Sequence, residues 1–407
     1  MPQPRPVVAL ARTRDPGDRA AADAVDEVLG LLGSPLDALE PGMRVLIKPN
    51  MFQLKPGFRS SPAILLALAR IAAGRGAKVY VGERTRVLHQ VLDGSEIHRY
   101  AEVVSFDDRP LRLTQIEDAT SLRVPVAVPD IVLDCDYFIG VPQLRTHSSV
   151  VLTNAMKNLV GLLPGYTTRI VHMAGVEESI VDLNVMRPQH LVVSDATTVI
   201  EGNYPMAGES RPVGFIAAAT GGPVGAAAVD TVTAQLAGVS PDELDYLRHA
   251  RERGLAPAGP HDIELRGTPP HELAFRIRRA PSRIVPPREG IHVHAETGCP
   301  GCRRFIAAAL NRLHDELLAF PGELTVVCGP RETLPPLRGA VVLVGNALYD
   351  HREAGVYLEG CPPRAIQTAG FRYAMGLPVT PPERTQFRVP GQGGLAHLRQ
   401  PAPEELV

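Results

Sequence analysis

The sequence has few lysines, no long apolar run and no block of like charges. Its 407 residues include 42 Lys or Arg and 44 Asp or Glu, so the formal net charge is -2 at pH 7. Nothing electrostatic therefore indicates a nucleic acid or a membrane surface as partner. The N-terminus lacks an apolar segment of the signal-peptide type, and the Ala/Gly-rich stretch 215–239 is interrupted by Asp230, which argues against a spanning helix. We expect a cytoplasmic protein.

The chain also lacks the signs of a disulfide framework or a dinucleotide site. Five cysteines are an odd number for a set of disulfides. In a reducing compartment thiols stay free, and clustered cysteines more often bind a metal than pair with each other. No Gly-x-Gly-x-x-Gly motif follows a predicted strand, so a bound dinucleotide has no support.

The apolar pattern predicts an α/β fold. Short β-branched runs alternate with Ala/Leu-rich helical segments from residue 5 to about 255, which is typical of an open, largely parallel sheet covered by helices. The predicted strands include residues 78–82, 137–141, 190–194 and, in the last third of the chain, 340–344, and one of the helices is predicted over residues 151–160. A second, smaller α/β domain repeats the alternation. The predicted division is residues 1–280, a linker 281–290, residues 291–376, and a Pro/Gly-rich tail 377–407.

The most specific signal is the placement of four cysteines in the second domain. Each lies just past the end of a predicted strand, where the strands of a parallel sheet share one crevice. Thiolates gathered there suit either a tetrahedral zinc or an iron-sulfur cluster. A redox dithiol and ordinary buried cysteines are the alternatives. The candidate ligands are Cys299, Cys302, Cys328 and Cys361; Cys135 is expected to be a core residue.

A resemblance favours iron over zinc. The segments Cys299-Pro-Gly-Cys302 and Gly360-Cys-Pro-Pro363 resemble the cluster-binding cysteines of hydrogenase small subunits and the related quinone-oxidoreductase subunit. Those families place a [4Fe-4S] cluster at the strand ends of a flavodoxin-like domain. The resemblance therefore implies a [4Fe-4S] cluster here, bound by Cys299, Cys302 and Cys361. Cys328 is the conditional fourth ligand, because the spacing to the third cysteine is shorter than in those families.

Two of the few lysines mark a candidate site in the first domain. Lysine stands at only four positions, 48, 55, 78 and 157, and every other basic residue is arginine. Arginine cannot replace a compact or titratable ammonium, so we expect Lys48 and Lys157 to bind an anionic group or transfer a proton. The alternative for Lys48 is a structural ion pair at the end of its strand. His147, after another predicted strand, is a third catalytic candidate, or else a hydrogen-bonding loop histidine.

Polar residues in the same segments are candidates for substrate binding. They follow predicted strands, where loops often carry sites. Alternatively, they form turns or cap the backbone. The candidates are Asn50, Asn158, Glu201 and Asn203.

The order of these motifs resembles the domain-of-unknown-function 362 family over roughly residues 40–255. The motifs include Ile47-Lys-Pro-Asn50, Leu144-Arg-Thr-His147, Met156-Lys-Asn158 and Glu201-Gly-Asn203. The activity of that family is largely unassigned. A more remote similarity links it to the lactate racemase family, which binds a nickel pincer nucleotide through a lysine and histidines. That link would implicate Lys157 and His147.

Three functions are consistent with the sequence. The first is an iron-sulfur enzyme acting on a small anionic metabolite at the interface of the two domains, by redox chemistry or with the cluster as a Lewis acid. The second is a racemase- or isomerase-like enzyme with Lys/His acid-base chemistry and a structural metal. The third is a non-enzymatic electron-transfer protein. An electron-donor protein is a further expected partner for a redox enzyme, and the sequence leaves the oligomeric state open, a homodimer included.

Overall fold

The computed structural model describes residues 5–13, 18–148, 150–165, 167–204, 208–281 and 283–391. The chain divides into two compact units. The first contains residues 1–202 and 209–279, and the second contains residues 203–208 and 280–407. Asn203 and Tyr204, which the sequence places in the first domain, are grouped with the second unit.

The first unit is built on a mixed, largely parallel sheet. Within the described residues this sheet has ten strands, with the order β12-β1-β11-β10-β7-β2-β3-β4 and with β8 and β9 attached beside β10. Strands β10, β7, β2, β3 and β4 run parallel, whereas β11 is antiparallel to both of its neighbours. A separate antiparallel pair is formed by β5 and β6. The strands are β1 Val7–Arg12, β2 Arg44–Pro49, β3 Lys78–Glu83, β4 Glu102–Ser105, β5 Leu111–Thr114, β6 Val126–Pro129, β7 Tyr137–Val141, β8 Gln143–His147, β9 Val151–Thr153, β10 Leu191–Glu201, β11 Glu209–Thr220 and β12 Glu264–Gly267.

Helices cover both faces of this sheet. Alternate residues of each central strand enter opposite cores: Val45 and Ile47 pack with α1, α2 and α3, while Leu46 packs on the side of α6, α7 and α8. The helices are α1 Asp18–Leu31, α2 Pro62–Gly74, α3 Val87–Leu92, α4 Asp130–Asp134, α5 Thr167–Ala174, α6 Val176–Met186, α7 Gly222–Leu236, α8 Asp245–Glu252 and α9 Pro270–Leu273.

The second unit is a smaller parallel sheet with its own core. Its strands lie in the order β13-β14-β15-β16, and all neighbours are parallel. The elements are β13 Ile291–His294, α10 Pro300–Arg312, α11 His314–Ala319, β14 Leu324–Cys328, β15 Ala340–Val344, β16 Val356–Leu358, α12 Ala369–Ala374 and α13 Pro381–Arg384. The fold class predicted from the sequence, two α/β units with largely parallel sheets, is confirmed.

The predicted tail is ordered into the second unit as far as it is described. Phe387 is buried in the core of this unit, and the backbone of Arg388 exchanges two hydrogen bonds with Tyr357 on β16. Residues 392–407 lie outside the described part of the chain.

One predicted helix is wrong. Residues 151–160 form β9 and then a 3₁₀ helix, Met156–Leu162. Val151 to Thr153 pair with β8 in a short hairpin, and β8 in turn pairs with β10; this strand pairing overrides the local helical pattern. The structure also places His147 at the end of a strand and not in a loop.

In the described ranges, no helix combines the length and the apolar character needed to span a bilayer.

Candidate active site

Lys48 lies at the carboxyl end of β2 and is fully buried. Its ammonium donates to the carboxylate of Glu83 at 2.7 Å, to the carbonyl of Pro49 at 2.7 Å and to Oδ1 of Asn158 at 3.1 Å. Burial lowers the pKa of Lys48, and the charge of Glu83 opposes this effect. An ammonium has three N–H groups, and all three are used within the protein. The structure thus shows the ion pair that was the alternative role for Lys48, and a catalytic role stays a prediction.

Asn158 ties the 3₁₀ helix Met156–Leu162 to β2. Its amide accepts from the Lys48 ammonium and donates to the Lys48 carbonyl at 3.1 Å, and the side chain is buried. Gly161 passes directly over this ion pair, because a Cβ there would lie 2.8 Å from the Lys48 nitrogen. Asn158 therefore serves the structure of the site, and its predicted role in binding a substrate is not tested.

Lys157, the next residue before Asn158, has different surroundings. It retains some exposed surface, yet the protein around it desolvates the ammonium and lowers the pKa of Lys157 to about 7. The positive charge of Arg145 adds to this lowering, and the carboxylate of Glu177 opposes it. Lys157 can therefore exist in both protonation states near neutral pH, which is what proton transfer requires.

Arg145 connects the two lysines electrostatically. It lies on β8, is 6% exposed, and lowers the pKa of both Lys48 and Lys157. Arg145 and His147 are two residues apart on the strand and so share one face of β8. The charge of Arg145 thus acts on both lysines, and positive charge at such a site favours an anionic ligand.

The hairpin beside His147 has a strained backbone. His147 pairs with Val151, whose φ of 65° lies in the left-handed region. This region is unfavourable for a β-branched residue, and such strain often marks functional sites. The conformation fixes how His147 leaves the end of the strand.

The other predicted substrate-binding residues are placed differently from one another. Asn50 follows β2, and its buried Oδ1 has no hydrogen-bond partner among the described residues. Glu201, at the end of β10, accepts from Arg211 at 3.3 Å and from the backbone N–H of Arg278 at 3.1 Å. Asn203 belongs to the second unit, where it donates to the carbonyl of Ala308 at 2.8 Å. Among the described residues, Asn203 likewise keeps a buried Oδ1 without a hydrogen-bond partner, so Asn50 and Asn203 each have an acceptor available for a ligand.

Sequence reasoning did not select Glu83, Arg145 or Glu177. The sequence did carry a signal for Glu83, because this residue directly follows the predicted strand 78–82, next to the strand of Lys48. Arg145 stands inside the motif used for His147, but arginine is too common in this chain to be informative. For Glu177 no sequence signal exists, because only folding brings α6 towards Lys157.

In the second unit the four cysteines gather at the carboxyl ends of the parallel strands. Cys299 and Cys302 flank the start of α10, Cys328 ends β14, and Cys361 follows β16. Cys299 is exposed, Cys361 is partly exposed, and the other two are buried. Charge on Cys299 raises the pKa of each of the other three thiols, so all four lie within electrostatic range of one another.

Cys299 is the most acidic of these thiols. The Cys302 thiol and the backbone N–H groups of Gly301 and Cys302 donate to its sulfur and lower the pKa of Cys299 to about 5. Burial raises the pKa of Cys328 to about 11 and also raises that of Cys361. Glycine at 298 and 345 leaves room for the sulfurs, because a Cβ at either position would collide with Cys328 or Cys302, respectively.

The chemistry of the four thiols suits a metal. Thiolates are ligands of both zinc and iron-sulfur clusters, so Cys299, Cys302, Cys328 and Cys361 would be the residues that hold either one. Throughout the described ranges, no three His, Cys, Asp or Glu side chains are arranged to hold one metal ion. The choice between iron and zinc stays a prediction.

The chain is similar to several known proteins. It is 25% identical over 295 residues to the thylakoid-associated protein sll1697 of Synechocystis sp.. The aligned region covers 69% of this chain and 89% of that protein. Among solved structures, the lactate racemase apoprotein from Thermoanaerobacterium thermosaccharolyticum matches with a TM-score of 0.38 and 10% identity, over 81% of this chain and 69% of the other. A protein from Thermotoga maritima matches with a TM-score of 0.33 and 12% identity, over 46% of this chain and about half (51%) of the other.

A family match covers the part of the chain that carries the two lysines. It begins in β2, which contains Lys48, and extends almost to the end of α7. The matched residues are 45–235, and the family is described as Domain of unknown function (DUF362), which confirms the resemblance in the order of the motifs.

Proposed function

We propose that this protein is an enzyme acting on a small anionic metabolite, with Lys157 as its general acid-base group. The observation that carries the proposal is the position of Lys157 beside Arg145, with its pKa lowered to about 7. The guanidinium of Arg145 attracts the anion. Lys157, which is half neutral near pH 7, accepts or returns the proton.

A second acid-base group is also available. The charge of Glu177 acts on the Lys157 ammonium, and His147 shares the face of β8 with Arg145. A two-base racemase or isomerase uses two such groups, one to remove a proton and one to return it. We propose that His147 or Glu177 takes the second role.

Proton abstraction can be tested without knowing the substrate. The protein, prepared anaerobically, is incubated in D₂O with a panel of small carboxylates and phosphates, and loss of the C–H signal is followed by NMR. We expect at least one compound to exchange its proton, and Lys157→Met to abolish the exchange. Lys78→Met, at an exposed strand start, is the matched control and should retain it. Equal exchange by Lys157→Met, or no exchange with any compound, would contradict the proposal.

The gathered thiols support a second candidate, an iron-sulfur enzyme with redox chemistry. Cys299, Cys302 and Cys361 would hold a [4Fe-4S] cluster, with Cys328 as the fourth ligand. Such a cluster supplies one-electron transfer, or a Lewis-acidic iron where one iron lacks a protein ligand. Burial disfavours the thiolate form of Cys328, and the positive charges of Arg331 and Arg303 oppose this effect.

The two candidates predict different results. Anaerobic purification followed by iron, sulfide and zinc analysis should give about four irons per chain. Cys302→Ser should lose them, whereas Cys135→Ser, in the other unit, should not. Stoichiometric zinc without iron would contradict the cluster. If proton exchange proceeds without a reductant, the result favours acid-base chemistry. If the protein has a redox-active cluster but turns over no substrate, the result favours an electron-transfer protein.

A further inference from the structure

Asp230 is a buried carboxylate in the middle of α7. It is 1% exposed, and its two oxygens accept the backbone N–H groups of Ala155 at 2.7 Å and Met156 at 3.1 Å. Tyr246, on α8, interacts with this carboxylate, and both side chains are buried. Burial of a carboxylate costs free energy even when it accepts hydrogen bonds, but an apolar residue here would leave both N–H groups buried without an acceptor.

The two N–H groups belong to the start of the 3₁₀ helix that carries Lys157. The first N–H groups of a helix have no partner within the helix, and a polar side chain just before it usually accepts them. Here that position is occupied by Ala155, which has no side-chain acceptor. Asp230 supplies the missing acceptor from an element 75 residues away.

The carbonyl groups of the same two residues are held as well. Gln189 donates to the Ala155 carbonyl at 3.2 Å, and Asn184 donates to the Met156 carbonyl at 2.9 Å. The peptide groups directly before Lys157 are therefore fixed on both sides. The Lys157 ammonium itself is affected by the positive charge of Arg145 and the negative charge of Glu177.

We propose that Asp230 is the positioning residue of Lys157: its carboxylate fixes the turn from which the Lys157 ammonium extends into its desolvated position. Burial raises the pKa of Asp230 to about 7, and the two N–H groups oppose this rise because they bind the ionised form. The ionised carboxylate accepts both N–H groups, whereas an asparagine side chain opposes one of them with its own NH₂. Without this clamp the turn relaxes and Lys157 gains water. The proposal rests on the proposed function only for the importance of Lys157, not for its geometry.

The test compares Asp230→Asn with Thr231→Val, a change of equal size at the next position of α7. Thr231 donates only to the Ala227 carbonyl of its own helix. The pH dependence of Lys157 acylation by acetic anhydride, read by mass spectrometry against exposed Lys78, gives the pKa of Lys157. We expect a midpoint near 7 in the wild type and in Thr231→Val. In Asp230→Asn it should move upwards by at least one pH unit, a tenfold smaller neutral fraction.

An unchanged midpoint in folded Asp230→Asn would overturn the proposal. A second measurement covers the case in which this variant does not fold. In the wild type, hydrogen exchange should show the amides of Ala155 and Met156 protected as strongly as those of α7, and rapid exchange of this segment would equally overturn it. Neither readout depends on turnover, so the proposed enzymatic function can fail while this inference holds, and the reverse.

Discussion

Replacing Lys157 with methionine should stabilise the protein at neutral and acidic pH. The folded structure lowers the pKa of Lys157 from its ordinary value of 10.5 to about 7. At about 1.4 kcal/mol per pH unit, the protonated side chain therefore costs the folded state at most about 5 kcal/mol. The side chain keeps some contact with water, which recovers part of this cost. We expect Lys157→Met to raise the free energy of unfolding by about 1–3 kcal/mol.

The gain should depend on pH in a defined direction. Between pH 7 and 10.5 the unfolded chain binds more protons at Lys157 than the folded chain does, so the stability of the wild type rises with pH over this window. The advantage of Lys157→Met should thus be full below about pH 7 and vanish towards pH 10.5. A catalytic group that costs stability is the pattern expected of an active site.

Urea unfolding followed by circular dichroism measures this difference, since the chain has no tryptophan for fluorescence. The wild type, Lys157→Met and Lys78→Met are compared near neutral pH and again at high pH. Lys78 is exposed, so its replacement should change the stability by less than about 0.5 kcal/mol at either pH. If Lys157→Met is less stable than the wild type near neutral pH, the ammonium is not desolvated as argued.

Three further changes test the surroundings of the site and of the sheet. Glu83→Gln leaves the Lys48 ammonium buried without its carboxylate, and urea unfolding should show a loss of about 3–5 kcal/mol; a loss below about 1 kcal/mol would contradict the buried ion pair. Gly161→Ala places a methyl group against the fixed Lys48 nitrogen and should cost about 1–3 kcal/mol in the same assay, whereas no loss would mean that the ion pair can move. His190 accepts the Phe138 N–H through Nδ1 at 2.9 Å, and burial lowers the pKa of His190 below 6.5. Its stabilising effect should be present above about pH 6.5 and be lost as the pH falls, and His190→Asn should remove this dependence from the unfolding curves; an identical slope in the variant would refute it.

The sheets could be predicted from the sequence because buried parallel strands read as short apolar runs. The predicted bounds of two strands, Tyr137–Val141 and Ala340–Val344, are the bounds that the structure shows. The helix over 151–160 could not be excluded locally, because β8, the partner of Val151–Thr153, is itself placed by β10, which lies far along the chain. The strand predicted over 190–194 is too short, because β10 continues to Glu201 through its long pairing with β11.

The site was predictable in its lysines but not in their roles. The scarcity of lysine singled out Lys48 and Lys157, and both lie within the electrostatic range of Arg145. The sequence could not show that one is consumed by an internal ion pair and the other is left with a near-neutral pKa. That difference is set by Glu83 and by burial, which only the assembled structure supplies. The roles of Cys299, Cys302, Cys328 and Cys361 as metal ligands stay a prediction.

The turn that carries Lys157 has a consequence for how the site can be formed. Its hydrogen bonds reach Asp230, 75 residues further along the chain, and Lys48, 110 residues back. Closing loops of this length costs entropy that only the completed core repays, so local folding cannot build the turn. The lowered pKa of Lys157 should therefore appear late in folding, at the same step in which α7 packs onto the turn. A fragment that ends before this helix would contain Lys48, Arg145 and Lys157 and still have three ordinary cations.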